Sequence, residues 1–178
     1  MRGKVFKITE IDDNLINLYI DCFKKDLIFN QRITDAIKDE KMINDIFECY
    51  IKYGTILAIK WYSKKVSFLT AFDIKKLYSD SKAFNLIFNK NLFPEIYNFL
   101  KQKDFDCNYI VLLGVDKHFR NRGMATKLVK HYFRYYKTSN FFITDVDNKY
   151  SFKIFKKFKF KNLKIDENYY IMYKDNSI

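Results

Sequence analysis

Residues Leu112–Leu128, LLGVDKHFRNRGMATKL, decide the reading of this chain. The stretch begins as the end of an apolar run, crosses a short polar loop, and becomes an amphipathic helix at a glycine. The whole chain has four glycines, and Gly114 and Gly123 both fall here. In a sequence that otherwise avoids glycine, such placement marks backbone that bends sharply or lets a ligand come close. A helix start offers unpaired N–H groups and a partial positive charge, so it holds an anion with few side chains. The expectation is therefore a strand, an anion-binding loop and a helix whose N-terminus faces phosphate. Within Arg120-Asn121-Arg122-Gly123-Met124-Ala125, the small Gly123 and Ala125 admit a diphosphate to the backbone, and Arg120 and Arg122 add charge. Neither GxxxxGK[ST] nor GxGxxG is present, which sets aside the P-loop and the dinucleotide turn.

Composition bounds what surrounds this stretch. A chain of 178 residues has the size of one domain with a real core, and 48% hydrophobic residues exclude a disordered body. Cys22, Cys49 and Cys107 are widely spaced and odd in number, which suits a reducing cytosol rather than a disulfide framework or a zinc site. The start, MRGKVFKITEIDDN, lacks an apolar secretory run, and no stretch approaches the roughly 20 apolar residues of a membrane span. The expected location is the cytoplasm, with no membrane partner. The net charge of +12 raises nucleic acid as a ligand. The lysines are spread along the chain, however, and Lys, Asn, Ile, Phe and Tyr rise together as A/T-rich codons would make them. The charge is read instead as attraction for an anionic cofactor or substrate.

Working outward, Val5, Phe6 and Ile8 read as a first strand. Thr9 or Asp12 caps a helix with Leu15, Ile16, Leu18, Tyr19, Cys22 and Phe23 on one stripe, and Lys24 and Lys25 in its last turn. Beyond a loop around Phe29–Arg32, Thr34 or Asp35 caps a second helix carrying Ile43, Ile46, Phe47, Tyr50 and Ile51, with Gly54 at its C-terminus. The period then changes, and residues 55–62 and 65–72 read as hairpin strands separated by Ser63 and Lys64. Ser81–Phe88 and the segment from Pro94 read as helices. Residues 107–115 form a strand whose near-continuous apolar run implies cover on both faces. The helix from Gly123 presents Met124, Leu128, Val129, Tyr132, Phe133 and Tyr136 on one side. After a strand over 141–146, Asp147 or Asn148 caps a short helix with Phe152, Phe155 and Phe158 inward. Residues 160–165 and 168–173 close the chain as a hairpin, making a single mixed α/β domain over residues 1–178.

Two motifs in register carry a resemblance. Arg120-x-x-Gly123-x-Ala125 follows Leu113-Gly114-Val115, and Asn148, Ser151, Phe155, Lys157 and Lys159-Phe160 follow at fixed spacing. This resembles the GNAT superfamily of N-acetyltransferases, whose motifs look like (R/Q)xxGx(G/A) and NxxAxxxYxKxGF. The spacing is intact over residues 107–160, and the N-terminal helices and hairpin follow the family's order. The resemblance implies an α/β, GNAT-like acyl-CoA N-acyltransferase fold. Its sheet would be central and mostly antiparallel, with a parallel, splayed strand pair, flanked by helices. It also implies acetyl-CoA as cosubstrate, lying where that pair splays. Backbone groups at Leu113 and Val115 would pair with the pantetheine arm, and Gly114 would open the splay as a bulge. N–H groups from Arg120 through Asn121, Arg122, Gly123, Met124 and Ala125 to Thr126 would hold the pyrophosphate. Asn148 would touch the pantetheine, and the helix from Ser151 to Phe158, including Phe155, would wall the far side.

Two positions depart from the family pattern. Phe155 stands where a tyrosine often serves as general acid, and Lys159 replaces a glycine, so the turn there is expected to be built differently. Direct attack needs a neutral amine and a polarised thioester, and backbone donors near Leu113 supply the second. A separate acid typically adds ~10²–10⁴-fold; Tyr150, water or the substrate's own proton are stand-ins, and no catalytic residue is assigned. Asp73, Asp106 and Asp145 are alternative bases, each more often a solvated strand-end carboxylate. His118 and His131 have no partner pattern for a triad or a metal, and Cys107 reads as a small core residue. The expected activity is acetyl transfer to a primary amine of a small molecule, peptide or protein. A catalytically reduced CoA-binding sensor or interaction protein is the alternative, with a nucleic-acid-binding module third. The C-terminal hairpin is a candidate contact for a homodimer.

Overall fold

The structure, a computed structural model, describes residues 3–23, 40–88, 94–164, 167 and 169–175. The expectations at Lys24, Lys25, Phe29–Arg32, Thr34 and Asp35 lie outside the described residues. Strands β1 (Val5–Ile8), β2 (Gly54–Trp61), β3 (Lys64–Asp73), β4 (Asn108–Val115), β5 (Asn140–Asp145), β6 (Lys161–Lys164) and β7 (Tyr169–Lys174) form one sheet, ordered β1-β2-β3-β4-β5-β7-β6. Helices are α1 (Asp13–Phe23), α2 (Glu40–Tyr53), α3 (Ile74–Tyr78), α4 (Ser81–Ile87), α5 (Pro94–Gln102), α6 (Met124–Tyr135) and α7 (Lys149–Lys157). β4 and β5 are parallel, whereas β1–β2, β5–β7 and β6–β7 are antiparallel. The mixed sheet, with its parallel pair and flanking helices, is the architecture expected from the sequence. Two compact units make up the chain, Met1–Ala71 with Leu112–Tyr136 and Phe72–Val111 with Lys137–Ile178; two of the three boundaries fall inside β3 and β4 and the third just after α6.

In the first unit, α1 starts where Asp12 accepts a hydrogen bond from the Leu15 N–H at 2.9 Å, so Asp12 rather than Thr9 is the cap. Asp12 also pairs with the buried Lys65 ammonium, and Asn14 Oδ1 accepts from the Lys65 N–H at 2.7 Å, tying the helix start to β3. Tyr19 of α1 meets Phe47 of α2 edge to face at 5.3 Å, and Phe68 of β3 lies 6.3 Å from Tyr19. Burying such side chains contributes roughly 1.5–3 kcal/mol each. Helix α6 packs on β1 and β2, with Met124, Leu128, Val129 and Tyr132 buried at helical spacing. The hairpin between β2 and β3 turns one residue earlier than expected. Its loop is Tyr62-Ser63, and Tyr62 takes the left-handed conformation (φ +53°) that a two-residue turn demands where no Asn-Gly is available.

In the second unit, the parallel register is Asn108↔Asn140 and Tyr109↔Phe141. Alternate residues of β5 face opposite covers. Phe141 stacks on Tyr109 (4.8 Å) and meets Phe99 of α5 (5.4 Å), while Phe142 stacks on Phe155 of α7 (3.8 Å). The strand core is thus covered on both faces.

One element not expected from the sequence appears in this unit, and two local expectations are corrected. Residues 74–78 form α3, a short helix set up by the Asp73 carboxylate accepting from the Lys76 N–H at 3.1 Å. Of the three phenylalanines on α7 only Phe155 is buried, while Phe152 is half-buried against Tyr170 at 5.2 Å and Phe158 is half-buried at the C-cap. The turn at Lys159 is not built differently from a glycine turn. Lys159 itself adopts the left-handed conformation (φ +65°), its N–H donates to Lys156 O (3.0 Å), and the Phe160 N–H donates to Phe155 O (3.3 Å). These are the paired bonds of a Schellman cap, and Phe160 packs on Phe155 at 5.1 Å as that cap favours.

Candidate cofactor site

The expected strand–loop–helix lies within the first unit. β4 ends at Val115, Lys117–Phe119 make one 3-10 turn, and α6 starts after Gly123. Four other helices are capped by side chains, those of Asp12 on α1, Asp73 on α3, Asp80 on α4 and Asn148 on α7. Helix α6 is capped by Gly123, left-handed at φ +76°, with no side-chain bond. The first helical bond runs from the Lys127 N–H to Gly123 O at 2.9 Å, so the N–H groups of Met124, Ala125 and Thr126 precede the ladder. A Cβ at residue 123 would meet no atom within 4 Å, so the glycine serves conformation and access rather than packing. Asn121 is left-handed as well (φ +59°), and Arg120, Asn121, Arg122 and Gly123 are all exposed. The arrangement can receive an anion on backbone N–H groups, with two arginines in the loop just before them.

Residues that the sequence reading left aside hold this loop. Asp116, buried at 7% exposure, caps the 3-10 turn by accepting from the His118 N–H (2.9 Å) and also accepts from Lys64 Nζ (3.1 Å). Its own N–H donates to Val66 O at 2.8 Å. Burial works against the ionised form, but the His118 N–H and the Lys64 ammonium outweigh it and hold the carboxyl below the usual range. The signal was present as an Asp directly before a short polar turn, placed to accept from the N–H two residues on. Phe119 is half-buried, with the Arg122 guanidinium over its ring at 5.5 Å and Trp61 at 6.2 Å.

Gly114 has a packing reason. A Cβ there would collide with the Phe68 ring and press on Cys22 Sγ at 3.1 Å, and its φ is not left-handed. The glycine lets α1 and β3 approach β4. Val115 is engaged on both main-chain groups, its N–H at the Cys22 thiol and its carbonyl accepting from Arg120 Nε at 3.3 Å. A ligand strand pairing at Val115 has to displace those contacts, whereas the half-buried Leu113 is one register step nearer the centre of the strand. Burial pushes the Cys22 thiol up to about 12 despite the nearby Arg120, so it is no nucleophile at neutral pH.

The remaining named residues lie in the second unit. Asn148 Oδ1 caps α7 by accepting from the Ser151 N–H at 3.1 Å. Phe155 is 1% exposed and sits in an aromatic cluster with Phe142 and Phe160, a core position. Among the candidate bases, Asp73 is committed to the α3 cap and to Lys76 (3.6 Å), Asp106 is exposed, and the side chain of Asp145 lies outside the described residues. Burial pushes the Cys107 thiol up to about 12. Tyr150 is 79% exposed. His131, in the first unit, has its pKa lowered by burial and by Arg134 and Lys127. Among the described residues no cluster of His, Cys, Asp or Glu is placed to hold a metal.

Residues 91–160 match the model of the acetyltransferase (GNAT) family, the segment from α5 to the Schellman cap. No curated protein matches the chain by sequence. The chain is similar in structure to the histone acetyltransferase HPA2 and related acetyltransferase from Corynebacterium glutamicum, with a TM-score of 0.70 and 14% identity over 100% of this chain and 98% of that one. It is similar to the PaiA N-acetyltransferase from Thermoplasma acidophilum in complex with coenzyme A, with a TM-score of 0.67 and 15% identity over 98% of this chain and 99% of that one. A Bacillus subtilis acetyltransferase in complex with CoA aligns with a TM-score of 0.60 and 11% identity over 98% of this chain and 99% of that one. At these identities the structural likeness shows the fold. Together with the family model, it bears out the resemblance read from the two motifs.

Proposed function

We propose that this chain, a GNAT fold with a glycine-capped anion loop, is an acetyl-CoA-dependent N-acetyltransferase acting on a primary amine. The carrying observation is the start of α6, where Gly123 withholds a side-chain cap, the N–H groups of Met124, Ala125 and Thr126 precede the helical ladder, and the exposed Arg120 and Arg122 lie just before them in the chain. The loop residues from Arg120 to Thr126 hold the CoA pyrophosphate, and the edge of β4 around Leu113 meets the pantetheine arm. Asn148, Ser151 and Phe155 act through α7, the first two by fixing its N-terminus and Phe155 by seating it on β5. The acetyl group passes directly from the thioester sulfur to the amine nitrogen. The C–N bond forms as the C–S bond breaks, the amine proton leaves to solvent or a base, and CoA thiolate departs. Backbone N–H groups supply the electrostatic help to the thioester oxygen. Titration calorimetry with CoA and acetyl-CoA, followed by a panel of small amines and peptide N-termini monitored for free thiol, tests this. No heat with either ligand would sink the proposal.

One observation favours a second reading. Phe155, in the slot of the proton-donating tyrosine, is sealed in an apolar stack. A CoA-binding sensor without turnover would bind acetyl-CoA in calorimetry and release no thiol with any amine of the panel.

A further inference from the structure

Lysines occur throughout the chain, but residues 149–161 concentrate them. Lys149, Lys153, Lys156, Lys157, Lys159 and Lys161 stand there without a single Asp or Glu between them. The segment is α7, its Schellman cap and the first residue of β6, all within the second unit. All six lysines are exposed, and none has an ion-pair partner among the described residues. The spacing 149, 153, 156, 157 places four of them on one stripe of α7. The other side of the helix is sealed, with Phe155 at 1% exposure against Phe142 and Phe160.

This pattern works against the fold. Like charges at i,i+4, as in Lys149–Lys153 and Lys153–Lys157, destabilise a helix, and Lys149 in the first turn opposes the helix dipole. Lys159 adds a backbone cost, holding a φ of +65° that glycine would occupy without strain. A/T-rich codons supply lysine to any exposed position, but they supply asparagine as readily, and asparagine suits a left-handed cap better. Strain kept at one position points to a use for the side chain that keeps it.

A polyanion relieves the charge repulsion. Lysines four residues apart rise about 6 Å along the helix, a repeating row that suits a charged polymer rather than a single phosphate. Tyr150, 79% exposed, lies three residues before Lys153, and Lys156 Nζ stands 6.0 Å from the centre of the half-buried Phe152 ring. An exposed ring among lysines forms a stacking platform in a cationic track. Insertion into a lipid surface needs a free apolar helix face, and α7 has committed its own to β5.

We infer that the lysine stripe of α7, together with Lys159 and Lys161 in the chain that follows, docks single-stranded nucleic acid. The lysines meet phosphates as point charges, and Tyr150 stacks on a base. Docking here does not depend on CoA binding at the anion loop, which belongs to the first unit.

A fluorescein-labelled oligouridylate is titrated with the full chain by anisotropy at several salt concentrations. The parent should bind with a steep logarithmic salt slope. Lys153→Gln/Lys156→Gln/Lys157→Gln should weaken binding at least about tenfold at low salt and make the slope shallower by about 2. The same loss of charge at Lys4, Lys7 and Lys60, exposed lysines of the first unit, should leave the slope unchanged. Lys159→Gly should weaken binding while raising the urea midpoint, opposite changes that a purely structural role does not produce. Tyr150→Ala should weaken binding about tenfold at an unchanged slope, and Tyr150→Phe should restore most of it. Absent or salt-insensitive binding overturns the inference. Equal losses in the two triple variants also overturn it, by assigning the binding to the overall charge. Tyr150→Ala binding as tightly as the parent removes the nucleic acid from the site. Capture of phosphatidylserine vesicles in preference to the oligonucleotide does the same and assigns the lysines to a membrane surface.

Discussion

Lys159 holds a φ of +65° that an L-residue occupies at a cost, because its Cβ crowds the following carbonyl. The surrounding Schellman bonds and the Phe155–Phe160 contact override that cost. Lys159→Gly should therefore stabilise the fold by about 1 kcal/mol, read as a rise in the urea midpoint at constant slope. An unchanged or lowered midpoint would mean that the left-handed cap is not formed. Gly114 presents the opposite case, a glycine whose absent side chain is the requirement. Gly114→Ala should cost about 1–3 kcal/mol through collision with Phe68, and Phe68→Leu should recover part of that loss in a double-mutant cycle. Strict additivity of the two changes would show that the ring is not the obstacle.

At the scale of the element, the loop between β4 and α6 has two tasks, to stay fixed and to leave its N–H groups accessible. Asp116 performs the first through Lys64 and the His118 N–H. Its folded pKa is depressed, so its contribution is present above the unfolded value of about 3.9 and is lost as pH falls through the lower folded value. Asp116→Asn should lower stability at neutral pH by about 1 kcal/mol and flatten the acid limb of the stability profile below about pH 4. A variant that keeps the parent's acid limb would assign that limb to other carboxylates. The second task belongs to Gly123 and the arginines. Arg122→Glu places a carboxylate beside the bound diphosphate and should abolish CoA binding in calorimetry while leaving the unfolding midpoint near the parent's, because Arg122 is exposed. Undiminished affinity would move the phosphate site elsewhere.

For the whole molecule, the excess of 33 basic over 21 acidic residues produces a net charge of +12, and acetyl-CoA is an anion. Such a field raises the local concentration of the ligand and its rate of encounter. In stopped-flow measurements the association rate for CoA should fall on the order of tenfold from low to physiological salt, with a smaller change in dissociation. A salt-insensitive association rate would confine the attraction to short-range contacts at the loop. Among the described residues no helix is long and apolar enough to cross a membrane.

Most elements were legible in the sequence because their signals are local. The 3.6-residue period of Met124, Leu128, Val129 and Tyr132, the helix starts where Asp12 and Asn148 were each one of two candidate caps, and Gly123 before α6 each act within a few residues of chain. The joint spacing of two motifs carried the fold beyond what any single element did. Helix α3 was missed because a helix of five residues has too short a period to read, and it forms because Asp73 caps it and Ile74 and Leu77 find burial. Only the tertiary structure decided what each unusual residue is for. Gly114 yields to Phe68 from β3 and Cys22 from α1, partners distant in sequence. Phe155 is withdrawn into a stack with Phe142 and Phe160, and Trp61 is brought beside Phe119, whose ring carries the Arg122 guanidinium. Periodicity and capping report how a segment folds upon itself, whereas the roles of these side chains depend on which distant segment the chain brings against them.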